Sequence, residues 1–171
     1  MATPAVVRKY GLHAATAALF GVAIWRLGLT PELPAVLAFI FGGVLLSVID
    51  WKVKRLPTEL VYYTLAGVGA GLVFASFVEW DWVPLATAIL GGLLFTNVFF
   101  LVWLFTNKYV GMKMIGFGDV RLAAVLGLLL GWYGLQYVLY GAIVGHLFAV
   151  GIACVTSVRE RQLQTTYSFG P

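Results

Sequence analysis

The side chains with the most chemistry to offer are two aspartates set at the edges of long apolar runs. Asp50 closes "FGGVLLSVID", and Asp119 sits inside "KMIGFGDVRLAAVLG". Like charges a few ångströms apart do not both ionise comfortably, so paired carboxylates share a proton. The ionised member takes a proton from water as the water attacks a peptide carbonyl, and the protonated member donates to the carbonyl oxygen. The roles then reverse to expel the amine. The titration belongs to the pair, so sequence assigns neither acid its role. The two stand 69 positions apart, and only folding can join them.

Each acid also has a plainer reading. Asp50 is followed by Lys52, Lys54 and Arg55, a setting that suits an interfacial anchor. Asp119 follows Gly118 and precedes aliphatic residues, as a helix N-cap does. Two features favour the pair. Asp50 falls at a helix C-terminus, where the macrodipole disfavours an anion. The glycines of "GFGD" allow close backbone approach or a positive φ.

The elements that must position these acids are membrane spans. The 171 residues are 61% apolar and only 11% charged, and the mean hydropathy is +0.95. Soluble domains carry about a quarter charged residues, so the composition predicts an integral membrane protein. The period-two alternation of a membrane β-barrel does not occur. An all-α bundle in a single domain, residues 1–171, is expected. A helix needs roughly 20 apolar residues to cross a bilayer. Six runs qualify, at about 11–29, 33–49, 59–78, 83–105, 117–133 and 136–157. The connectors between them, among them "TPELP", "WKVKRLPT" and "EWDWVP", carry the helix breakers.

Ten of the eleven basic residues fall at alternate ends of these runs, and only Arg26 lies near the far side. The opposite connectors carry Glu32, Glu79 and Asp81 without Lys or Arg. By the positive-inside rule both termini, Asp50 and Asp119 face the cytoplasm. The same rule accounts for the net charge of +4, so no nucleic-acid partner is expected. A single cysteine, Cys154, excludes a disulfide framework and a thiolate zinc site, and no metal or cofactor is expected. The start "MATPAVVRKY" is too short and polar for a cleavable leader.

Other residues read as structural. His146 and Asn97 are expected to make helix-packing hydrogen bonds, His13 to lie at the interface, and Arg26 to snorkel outward. Gly67/Gly71, Gly127/Gly131 and Gly141/Gly145 are spaced for close helix contact. Tryptophans 51, 80, 82 and 132 fall at span ends, as an aromatic belt would place them. Lys113 and Arg121 flank Asp119 and suit either membrane anchoring or tuning of the acids. Glu59 suits either a cap of the third span or the attraction of a basic ligand.

"GFGD" fits the GxGD signature of intramembrane aspartyl proteases, and its surroundings resemble the prepilin peptidases, also called type IV leader peptidases. In that family the first aspartate ends a span and precedes a basic loop with "LP" or "IP". "DWKVKRLPTEL" has Asp50 and Leu56-Pro57 in those places. The second element usually reads GxGDxK-L, and "GFGDVRLAAVLG" has Arg121 where lysine is common. "LLLGWYG" after the helix is also typical. The resemblance runs from about residue 35 to the end.

The resemblance implies that Asp50 and Asp119 are the catalytic dyad, with Gly116, Phe117 and Gly118 as its backbone support. Lys113, Arg121 and Glu59 would tune the dyad or meet substrate. The implied substrate is a prepilin or pseudopilin, with its basic leader cut at the cytoplasmic face of the bacterial inner membrane and its apolar helix held in lipid. Larger members carry an N-terminal CxxC-containing methyltransferase domain. This chain has no such cysteines, so a peptidase-only form without methyltransferase activity is expected. "TTYSFGP" resembles an element after which a final span follows in the family, so a seventh helix is expected to be missing here.

The competing readings are a preflagellin-type or signal-peptide-peptidase-type GxGD protease, a small cation transporter and a non-catalytic assembly factor. The signal-peptide-peptidase group usually has tyrosine before the first acid, where this chain has Ile49. A transporter would want midplane acids and inverted repeats, and intact Asp50 and Asp119 argue against an assembly factor.

Overall fold

A computed structural model describes residues 4–53, 57–105, 107–108, 116–145 and 147, with side chains from His13 to Asp50 and from Pro57 onward. Five helices run in order: α1 (Pro4–Leu27), α2 (Leu33–Val53), α3 (Thr58–Glu79), α4 (Val83–Phe105) and α5 (Phe117–Tyr133). A shorter apolar helix, α6 (Leu135–Gly145), follows. No strand occurs among the described residues. In hydrocarbon each backbone polar group must be satisfied within its own segment, and helices do this.

The breaks between helices come where the sequence interrupts hydrogen bonding or turns the backbone. Pro34 and Pro84 lie in first turns, where a missing N–H leaves no helical bond unmade. Gly28 (φ 68°), Trp80 (φ 55°) and Gly134 (φ 129°) turn the chain where α1, α3 and α5 end. The observed helices match the predicted spans closely. The differences are at α1, which begins at Pro4, before the expected start at 11, and at α2, which continues to Val53 and so holds Asp50 within its last turn. Three helices, α2, α3 and α4, are long and apolar enough to cross a membrane by length and composition. At 17 residues α5 is at the short end of the roughly 17–25 needed.

Small residues set the packing. Helices α2 and α3 run antiparallel: a Cβ on Gly71 would lie 2.6 Å from the Ala35 nitrogen, one on Gly67 would lie 3.3 Å from Ala38 Cβ, and Gly42 faces Thr64. Helices α4 and α5 make the most extensive interface. There a Cβ on Gly127 would lie 2.5 Å from the Gly91 carbonyl, and one on Gly131 2.5 Å from the Thr87 carbonyl. Backbone thus meets backbone, and only glycine permits it. Gly91, which the spacing argument did not single out, is as tightly held as its partners.

Around these contacts Leu46, Val61, Val68, Leu72 and Val125 fill the core shared by α2, α3 and α5. Val138 of α6 packs on Phe95 and Ala123. Two expectations are corrected. Trp132 is buried at 9% exposure within the core cluster and is not a belt residue, unlike Trp80 at 81% and Trp82 at 46%. Asn97 donates to the Leu93 carbonyl of its own helix at 2.8 Å and not across helices. His146, Cys154 and Lys113 lie outside the described residues, as does the side chain of Trp51.

Candidate active site

Asp119 is held by the turn that starts α5. Gly116 is the N-cap, in extended conformation at φ −75° and ψ 148°. Its N–H donates to Asp119 Oδ2 at 3.0 Å, and its carbonyl accepts the Asp119 N–H at 3.0 Å. Asp119 is therefore the third helical residue reaching back to the cap, and not the cap itself. An anion in the first turn is also favoured by the helix dipole. Neither Gly116 nor Gly118 has a positive φ. A Cβ at position 116 would make only ordinary contact, 3.4 Å from Asp119 Oδ2, so neither space nor a positive φ demands glycine there.

Several contacts gather one end of the bundle around this turn. The Trp103 ring near the end of α4 meets Phe117 edge-on, with centroids 5.2 Å apart. Arg121 Nη1 donates to Thr58 Oγ1 at the start of α3. The Arg121 guanidinium also lies 4.8 Å over the Phe117 ring, within cation–π range. Helices α2 and α5 touch, with Asp50 in the last turn of α2 and Asp119 in the first turn of α5. The two acids, 69 positions apart in sequence, thus stand at the ends of two helices that touch. Both are exposed on the surface of the bundle.

The remaining sequence-predicted residues divide clearly. Phe117 is a packing platform for Trp103 and Arg121. Arg121 is engaged by Thr58 and Phe117. Glu59 is exposed in the first turn of α3, where the dipole favours an acid, and Pro57 before it makes no side-chain cap. Thr58 was missed by sequence reasoning. No local signal marks it, because its partner is 63 positions away.

The sequence pattern of the type IV leader peptidase family matches residues 37–156, a stretch that contains both aspartates. The chain belongs to that family. Among leader peptidase relatives, the prepilin leader peptidase/N-methyltransferase of Pseudomonas putida is 31% identical over 166 residues, covering 95% of this chain and 54% of the relative. Its counterpart in Escherichia coli K12 is 34% identical over 148 residues, covering 83% of this chain and 60% of the relative. That of Pseudomonas aeruginosa is 33% identical over 172 residues, covering 98% and 56%. The chain thus spans little more than half the length of these curated leader peptidases. No solved structure matches.

Proposed function

We propose that this leader peptidase chain is an aspartic-type endopeptidase that removes the basic leader of type IV prepilins or pseudopilins at the cytoplasmic face of the bacterial inner membrane. The observation that carries the reading is that Asp50, in the last turn of α2, and Asp119, in the first turn of α5, are exposed on two helices that touch. One carboxylate, ionised, accepts a proton from water as the water oxygen bonds to the scissile carbonyl carbon. The other, protonated, donates to the carbonyl oxygen. Collapse of the tetrahedral intermediate breaks the C–N bond, and the amine leaves with a proton from the dyad.

Supporting features surround the pair. The basic residues of the sequence cluster at the Asp50 and Asp119 end of the spans, as a cytoplasmic face requires. Exposed Glu59 adds a negative charge to which a basic leader is attracted. The names of the relatives supply the substrate class, prepilins.

The test is co-expression with an epitope-tagged prepilin. Leader removal by the wild type, and its loss in both Asp50→Asn and Asp119→Asn at normal membrane levels, is the expected result. Continued cleavage by either variant would sink the aspartic mechanism.

A further inference from the structure

The first turn of α5 is gripped from behind. Phe117 and Arg121 are four residues apart and share a helix face. Asp119 lies two residues from each, about 200° around the axis, on the opposite side. On the gripped side Arg121 lies over the Phe117 ring at 4.8 Å and donates to Thr58 Oγ1. Phe117 is itself braced edge-on by Trp103 at 5.2 Å. Thr58 opens α3, just beyond the connector that follows Asp50. One guanidinium therefore bridges the start of α3 and the helix that presents Asp119.

We propose that Arg121 is a positioning residue: through Thr58 and Phe117 it fixes the rotation of α5 that turns Asp119 toward Asp50. The inference rests on the reading of those acids as a catalytic pair. It gives Arg121 a different part from binding substrate. A planar guanidinium stacked on a ring and bonded to a hydroxyl has two directional constraints, which a freely solvated cation lacks. Small errors in the placement of reacting groups are costly, so losing the bridge is expected to slow the chemical step while leaving substrate binding intact.

The experiment has a kinetic arm and a distance arm. In detergent-solubilised enzyme, Arg121→Ala and Thr58→Val should each lower kcat roughly ten- to a hundredfold with little change in KM. The double variant should be no worse than the poorer single one, because both remove the same bridge. Arg121→Lys should recover part of the loss, since an ammonium still donates to Thr58. A raised KM at unchanged kcat, or additive losses in the double variant, would overturn the proposal.

The distance arm uses spin labels on Asp50→Cys and Asp119→Cys in a Cys154→Ser background, read by pulsed electron resonance. Adding Arg121→Ala should broaden or lengthen the distance distribution, and an unchanged distribution would overturn the proposal. This arm needs no turnover, so it judges the bridge even if the wild type cleaves nothing and the protease reading fails. If Arg121→Ala does not accumulate, Thr58→Val decides both arms.

Discussion

Gly116 and Asp119 bond each other twice, N–H to Oδ2 at 3.0 Å and carbonyl to N–H at 3.0 Å. One carboxylate thus serves the helix start and, in the proposed mechanism, the chemistry. The two roles separate by mutation. Asp119→Asn keeps an acceptor oxygen for the Gly116 N–H and should abolish leader cleavage while losing only the charge–dipole contribution, roughly 0.3–1 kcal/mol. Asp119→Ala loses the acceptor as well and should cost a further amount of roughly 0.5–1.5 kcal/mol. Melting of both variants in detergent, alongside cleavage, distinguishes them. If Asp119→Asn melts as early as Asp119→Ala, the cap does not work as described.

Glu59 stands exposed on the first turn of α3, at the end of the bundle that carries the acids. If it attracts a basic leader, Glu59→Gln should raise KM severalfold and leave kcat alone. Added salt should shrink the difference, because a Debye length near 10 Å at 0.1 M screens exposed charges. A salt-independent effect would point to a packing defect.

The α4–α5 interface admits no side chain at Gly91, Gly127 or Gly131. Gly127→Leu, placed against the Gly91 carbonyl, should destabilise by about 1–3 kcal/mol or more and reduce accumulation in membranes. Gly69→Ala meets nothing within 4 Å and serves as the control. Blotting of membrane fractions and melting in detergent read both variants. Equal behaviour of the two would refute the close helix contact.

Ser76 is fully buried in α3, and its hydroxyl has no hydrogen-bond partner among the described residues. An unsatisfied buried hydroxyl costs on the order of 1 kcal/mol or more. Ser76→Ala should therefore leave stability equal or raise it, seen as a higher melting temperature. A clear drop would mean that the hydroxyl has a partner, such as an internal water.

The properties legible in the sequence were those written in single segments. Long apolar runs bounded by "TPELP" and "EWDWVP" became α2, α3 and α4, because a bilayer demands about 20 apolar residues whatever lies beside them. Asp50 and Asp119 could be singled out because a carboxylate at the edge of such a run is rare and costly. Tertiary structure decided what depends on which helix face meets which neighbour. It paired Arg121 with Thr58 across 63 positions. It set Gly91 against Gly127 and turned Trp132 into the core. Hydropathy averages around a helix, so it gives length and depth but not rotation, and rotation sets which neighbour each side chain meets.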